Sequence, residues 1–273
     1  MEYLRSGQYY GNTDSVYEMD GIVLTDTVYT HAHVDWHYHE NPYFTLILAG
    51  RLEEGSKKEK RKLVAGDLLF HNWQDPHYNI KPPGTTRGFH IELGEGWIQK
   101  PDIHLSNTAG SAQLEHPVAK LAAYQLLLET KQKDVTSGLA IETGLIQLLH
   151  RKKWESAQHY TLAPSWVSMV KDMIHAYPCD KLSLATLSEC AQVHPVHLSR
   201  DFARYFGCSL SHYIRRLRIA KSLTLLGDAH ETLAGIAVAC GFFDQSHYTH
   251  YFKMIMGVNP ASYRQSVFNF RPR

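Results

Sequence analysis

Between Tyr29 and Leu93 the apolar positions come in short runs of β-branched and aromatic residues, such as Phe44-Thr45-Leu46-Ile47-Leu48 and Gly88-Phe89-His90-Ile91-Glu92-Leu93, cut by Gly and Pro. That pattern predicts an all-β unit. The charged run over residues 55–62 (GSKKEKRK) lies between two strand-like segments and contains Glu59, so it reads as a solvated hairpin tip rather than a basic patch. After Pro101 the spacing becomes helical. Residues 117–130 and 138–153 predict two helices, with Leu121 and Leu128, then Ile141, Leu145 and Leu148, on their apolar faces. These two helices either cover the sheet or form a dimer seam. The stretch from Tyr160 to Ser165 reads as a linker. From Trp166 onward the pattern is helical at short spacing, with breaks near Pro178, Gly207, Gly227, Gly241 and residues 257–260, which leaves room for about seven helices.

Composition adds three constraints. At 273 residues the chain exceeds a usual single domain, and 44% apolar with 20% charged residues is the balance of a folded protein with a sizeable core. No apolar run approaches the ~18–20 residues of a membrane span and the first residues, MEYLRSGQYYG, hold no signal-peptide core, so the expectation is a cytoplasmic protein with no membrane part. Cys179, Cys190, Cys208 and Cys240 form no CxxC pair, which predicts reduced thiols rather than a disulfide framework or zinc ribbon. The net charge of +1 hides a split: residues 165–273 carry 12 Lys+Arg against 7 Asp+Glu, and residues 1–164 carry 16 against 20. Such asymmetry suits a nucleic-acid-binding module joined to a mildly acidic partner.

The motif pattern points the same way. In residues 183–206 (SLATLSECAQVHPVHLSRDFARYF), Ser183 can cap a helix with Leu184, Leu187 and Ala191 inward. A turn follows at Gln192-Val193, and Pro195 can open a second helix with Leu198, Phe202, Tyr205 and Phe206 as its spine. The opposite face presents Val196, Ser199, Arg200, Ala203 and Arg204, as a helix lying in a major groove requires. The arrangement recurs in residues 232–252: Thr232 caps, Leu233, Ile236 and Ala237 face in, Gly241 turns, and Asp244 caps a helix with Tyr248, Phe252 and Ile255 as spine. Its exposed face carries Gln245, Ser246, Thr249, His250 and Lys253. Between the units, residues 209–226 predict one long helix with Arg215, Arg216, Arg218 and Lys221, a spacer that could set two recognition helices roughly 34 Å apart on one side of a duplex. Its basic side chains and the helix amino termini are candidate phosphate contacts.

Ile236-Ala237, Gly241-Phe242, Asp244, Ser246, Phe252-Lys253, Gly257, Asn259-Pro260 and Tyr263-Arg264 resemble the signature of the AraC/XylS family of bacterial transcription regulators, and Leu198-Ser199-Arg200, Phe202 and Gly207 resemble its first unit. The resemblance implies a seven-helix domain that reads two successive major grooves of double-stranded DNA beside a promoter and helps recruit RNA polymerase. Two positions depart from it: His194 stands where a capping Ser or Thr is more usual, and His250 where Arg is common.

In the β unit, Trp36-His37-Tyr38-His39 with Tyr43 and Gly50, then Gly66-Asp67 with Pro76-His77, resemble the two motifs of the cupin barrel, which AraC-type regulators commonly carry as a ligand-binding domain. The resemblance places His37, His39 and His77 at the three metal-binding histidine positions of metallocupins, while Tyr43 takes the position of the usual Glu. These four residues are the candidate effector pocket, and the three histidines could instead hold a divalent transition metal. Alternation sets His37 and His39 on one face of the strand and Trp36 and Tyr38 on the other. The aromatic residues Trp36, Tyr38, Tyr43, Trp73, Tyr78 and Trp97 are expected mainly in the barrel core. Arg87 and Glu92 are further polar pocket candidates.

The expectation is therefore an α+β multidomain chain. Residues 1–158 form a cupin-like β-barrel with two following helices, which binds an effector and pairs two copies. Residues 165–273 form an all-α domain with two helix-turn-helix units. Its function is that of a non-enzymatic, sequence-specific DNA-binding activator, a homodimer by its helix pair, that senses a small molecule, sugars being one class, with no certain cofactor. The competing expectation is a metal-dependent cupin enzyme or metal sensor fused to a DNA-binding module.

Overall fold

In a computed structural model the chain divides into two compact units, Met1–Lys153 and Trp154–Arg273. The structure describes residues 1–99, 111–155, 164–180 and 182–268, so most of the expected linker lies outside the described residues.

Among the described residues the first unit has eleven strands: β1 (Glu2–Leu4), β2 (Gly11–Met19), β3 (Ile22–Tyr29), β4 (His33–His39), β5 (Tyr43–Ala49), β6 (Arg51–Ser56), β7 (Lys60–Val64), β8 (Leu68–His71), β9 (His77–Ile80), β10 (Thr86–Leu93) and β11 (Ala112–Leu114). They form two sheets, one in the order β1-β4-β9-β6-β7 and the other β11-β8-β5-β10-β3-β2. This is the cupin-like double-sheet barrel that the motifs implied. Strand β5 lies in mid-sheet between β8 and β10, which explains why it reads as an unbroken apolar run rather than an alternating one: six of its seven residues are buried. The charged run is the β6–β7 hairpin, with only residues 57–59 in the turn, because Lys60–Val64 pairs with Arg51–Gly55.

A short helix α1 (Glu95–Ile98) precedes β11, and α2 (Pro117–Gln132) and α3 (Ser137–Glu155) follow it. Helix α2 is apolar on most of its circumference, with Leu121, Leu127 and Tyr124 buried, as expected of a helix packed on a sheet. Its Lys131 reaches back to Asp26 on β3 at 2.7 Å. Asp26 also accepts Nε and Nη2 of Arg87 at 2.7 and 2.5 Å. Burial alone would raise the Asp26 carboxyl, but these two cations outweigh it and hold it below the ordinary range.

Seven helices make up the described part of the second unit: α4 (Ser165–Ala176), α5 (Leu184–Ala191), α6 (Pro195–Phe206), α7 (Leu210–Leu225), α8 (Leu233–Ala239), α9 (Gln245–Met256) and α10 (Pro260–Phe268). One core gathers Val170 and Ile174 of α4, Leu187 of α5, Leu198, Phe202 and Phe206 of α6 and Tyr213 of α7. All four cysteines are free thiols. Among the described residues no helix is long and apolar enough to cross a membrane.

Candidate functional site

The two helix-turn-helix units are set by capping and turn chemistry. Ser183 accepts from Thr186 N at 3.0 Å and opens α5. Gln192 then takes the left-handed conformation at φ 53°, and α6 begins at Pro195. His194 does the capping expected of a Ser or Thr: its Nδ1 accepts from Val196 N at 3.3 Å. His116 caps α2 in the same way, again before a proline at the first helical position. In the second unit Thr232 accepts from Gly235 N at 3.0 Å and Asp244 from His247 N at 2.7 Å.

Burial separates spine from face. Leu198, Phe202 and Phe206 are buried on α6, while Val196, Ser199, Arg200 and Arg204 are exposed. On α9, Tyr248, Phe252 and Met256 are buried, and Gln245, Ser246, His250 and Lys253 are exposed with Thr249 half-buried beside them. Met256 rather than Ile255 ends the α9 spine, since Ile255 is half-buried. Of the basic residues on α7, Arg218 is not free for phosphate: its guanidinium donates to the carbonyl oxygens of Pro178, Gly241 and Asp180 at 2.8, 2.7 and 2.9 Å. Arg215 lies over the Tyr251 ring, 4.5 Å from its centroid.

Between the two sheets of the first unit lies a cavity of about 40 Å³. It brings together all four predicted pocket residues, His37, His39, Tyr43 and His77, each buried. A shift of register between Val34 and His37 resets the pleat of β4, so both histidines point inward while Trp36 and Tyr38 face away. Of the aromatic residues, Trp97 and Tyr43 are buried but Trp73 is 62% exposed: it sits in the short link between β8 and β9, where no second layer covers it. Arg87 and Glu92 do not line the cavity. Arg87 is held by Asp26, and Glu92 accepts from Gly7 N and from Asn41 Nδ2, both at 2.8 Å.

Among the lining residues that were not anticipated, Glu54, His71 and His90 carry titratable side chains into the cavity. The first two carried a signal. Leu52 and Glu54 stand two apart on β6, and Leu69 and His71 two apart on β8, so each polar residue shares the inward face of its apolar partner. His71 is the register partner of Tyr43, and their rings stack with centroids 4.4 Å apart.

The hydrogen bonds fix ring states. His37 Nδ1 donates to the Asp35 carbonyl at 2.8 Å and His77 Nδ1 to the Asp75 carbonyl at 2.9 Å, so in both neutral rings Nε2 is left as the acceptor. The Tyr43 hydroxyl donates to His77 Nε2 at 3.2 Å. His90 is occupied at both nitrogens, by Thr45 Oγ1 at 3.2 Å and Tyr29 Oη at 3.1 Å. Burial drives His77 and His90 down to about 3, lowers His37, and holds His39 and His71 well below the ordinary imidazole range. Burial also pushes the Glu54 carboxyl up to about 8. The chamber is therefore lined by neutral imidazoles and phenols, which can hydrogen-bond a polar guest or ligate a metal.

A chain that carries both a pair of helix-turn-helix units and a double-sheet barrel has the parts of a ligand-responsive class of transcription regulator. The helix-turn-helix domain family matches residues 187–266. The uncharacterized HTH-type transcriptional regulator YobQ of Bacillus subtilis is 30% identical over 236 residues, covering 86% of this chain and 91% of its own. The HTH-type transcriptional activator RhaR of Yersinia pseudotuberculosis is 26% identical over 164 residues, 58% of this chain, which span about half (54%) of its own length. Among solved structures, ToxT from Vibrio cholerae aligns over 88% of this chain and 97% of its own at 14% identity, with a TM-score of 0.36. The chain belongs to the AraC/XylS family of helix-turn-helix transcription regulators. The relatives named here are regulators of transcription by their names, not enzymes.

Proposed function

We propose that the protein is a one-component transcription activator whose barrel cavity takes up a small polar effector and whose helices α6 and α9 read two successive major grooves. The observation that carries the reading is the pair of helices with buried aromatic spines and exposed hydrogen-bonding faces. Val196, Ser199, Arg200 and Arg204 would serve one groove, and Gln245, Ser246, Thr249, His250 and Lys253 the other. Arg200 and Gln245 offer the bidentate groups that distinguish guanine and adenine, and Lys253 and Arg204 suit phosphate. The protein would act in the cytoplasm, next to RNA polymerase bound at the promoter.

His37, His39, Tyr43 and His77 form the effector pocket in this reading, with Glu54, His71 and His90 added to it. A ring-shaped, hydroxyl-rich guest such as a sugar fits walls of stacked phenol and imidazole. At this volume the cavity has room for only a few waters, since one water needs roughly 10–15 Å³, so an effector the size of a sugar must widen it. That widening supplies the differential affinity by which effector and DNA placement are coupled. Pairing of two copies would use α3, where Leu139 and Ile146 are exposed at 71% and 52%.

Selection of the full-length protein on a random duplex pool at near-physiological salt tests the DNA reading. The expected result is two short boxes about one helical turn apart. A retained pool indistinguishable from the input, with and without a panel of sugars, would overturn it. A solution mass that stays at one chain at all concentrations would overturn the pairing.

A further inference from the structure

Two sets of donors meet in the barrel and share His77. One is His37, His39 and His77; the other is Glu54, His71 and His77, and in each set the candidate ligand atoms lie within 4.8 Å of one another, all on buried residues. We propose that the barrel holds a divalent transition-metal ion on Glu54, His71 and His77, a set that the cupin motifs did not point to. It deepens the reading of the barrel as the sensing domain and rests on it only for the regulatory meaning of the ion.

Four observations support the assignment. Two imidazoles and a carboxylate are a borderline nitrogen and oxygen set that zinc and iron(II) accept with positions left open. Glu54 Oε2 and His71 Nε2 stand 3.4 Å apart. That is long for a hydrogen bond, yet it is the edge of a tetrahedron whose corners lie about 2.1 Å from its centre, the usual metal–ligand distance for these atoms. Glu54 Oε1 and His71 Nδ1 are buried without a hydrogen-bond partner, and Arg61 Nη1 reaches only to 3.9 Å from the former. Such orphaned polar atoms are costly to bury, and an ion that takes the place of the Glu54 carboxyl proton would give this group a partner. Finally, the Asp75 carbonyl holds His77 in the tautomer whose Nε2 faces the chamber, the outer-shell arrangement that ligating histidines use. The Tyr43 hydroxyl now bonded to that nitrogen is the group an ion would displace.

The histidine triad offers three neutral donors and leaves the whole ionic charge in a buried site. The Glu54 set supplies an anion once the ion displaces the carboxyl proton. That difference of charge favours the second set.

The test uses full-length protein freed of metal by chelator dialysis, titrated with Zn²⁺ by calorimetry and with Co²⁺ by visible absorption. The expected result is one tight zinc site in the wild type, with cobalt ligand-field bands of a low-coordinate nitrogen and oxygen site. Glu54→Gln and His71→Gln should each weaken zinc by about 100-fold, with far-ultraviolet dichroism unchanged, and His37→Gln by less than about tenfold. A wild-type protein without cobalt bands overturns the proposal, as does zinc affinity retained in both Glu54→Gln and His71→Gln. Loss of zinc in His37→Gln alone would assign the ion to the triad and overturn it too. If Glu54→Gln does not fold, the wild-type cobalt spectrum and His71→Gln decide. DNA selection is run separately, so its failure strikes the regulator reading and leaves the metal result standing.

Discussion

Arg218 on α7 donates Nη1 to the carbonyl oxygen of Gly241 at 2.7 Å, joining the long helix to the turn of the second helix-turn-helix unit. The same guanidinium holds Pro178 O and Asp180 O, so one side chain fixes the α4–α5 loop against that turn. Arg218→Ala would leave three carbonyl oxygens without their charged donor and is expected to destabilise this unit by about 2–4 kcal/mol. Lysine carries its three N–H donors on a single nitrogen, which cannot reach three carbonyl oxygens spaced around a guanidinium, and should restore less than half. Native-state hydrogen exchange of the α8 and α9 amides checks this, and exchange unchanged in Arg218→Ala would refute it.

Gly241 itself is the second constraint. It sits at φ 76°, and a Cβ there would lie 2.3 Å from Cys179 O. Both the backbone and the packing therefore forbid a side chain. Gly241→Ala is expected to cost more than about 2 kcal/mol and to abolish protection of one of the two DNA boxes. Footprints of wild type and variant on the selected operator provide the measurement, and equal protection of both boxes would count against the argument.

Gln245 and Lys253 lie on the same exposed face of α9, yet different losses are expected. Gln245→Ala should relax base preference at one position and cost about 1–3 kcal/mol there, while Lys253→Ala should weaken all sequences alike and reduce the salt slope by about one. Titrations on operator and random duplexes over a range of salt separate the two. Equal losses on both duplexes for Gln245→Ala would remove its base-reading role.

Much of the second unit was legible because its signals are local. Ser183, Thr232 and Asp244 cap the helices they were expected to cap, and the apolar spines of α6 and α9 follow helical spacing. Arg218 was not legible as a structural residue, because its three carbonyl partners lie 23 to 40 positions away and carbonyls leave no mark on a sequence. In the barrel, His37, His39, Tyr43 and His77 could be placed by motif. Glu54 could have been placed by period alone, but a glutamate beside Glu53 in a charged hairpin reads as solvated, and only the closing of the second sheet buries it. His90 lies within an apolar strand whose two faces are both covered, so alternation could not say which way it points.

Arg200 is held by its own neighbour: its Nε and Nη2 meet the two Asp201 oxygens at 2.8 and 3.3 Å, with Nη2 also 3.2 Å from His197 Nδ1. Reaching a base means leaving that carboxylate. Asp201→Asn should therefore raise affinity for operator and random DNA together by a few-fold, more at low salt than at high. Arg200→Lys should lose the two-pronged contact and weaken the operator alone by about 1–3 kcal/mol. Unchanged binding of random DNA by Asp201→Asn would show that the carboxylate does not restrain the face.

His90 gives the acid limit of the barrel. Both its nitrogens are engaged and the Tyr9 ring stacks on it with centroids 3.5 Å apart, while burial brings it down to about 3 from its ordinary value. In the unfolded chain the same ring titrates near ~6.5. Above that value neither state binds the proton. Between about 6.5 and 3 only the unfolded chain does, so stability is complete above pH 6.5 and falls as the pH drops, by up to about 1.4 kcal/mol per pH unit for this residue. His90→Gln keeps a hydrogen-bonding side chain but no titrating one. Its metal-free barrel should be less stable than wild type at pH 7.5, through poorer packing against Tyr9, and should lose stability less steeply between pH 6.5 and 4. Urea midpoints for the two proteins across that range are the measurement. Parallel slopes would show that the proton is taken up elsewhere, and the wild-type slope would then have to come from the histidines around His77.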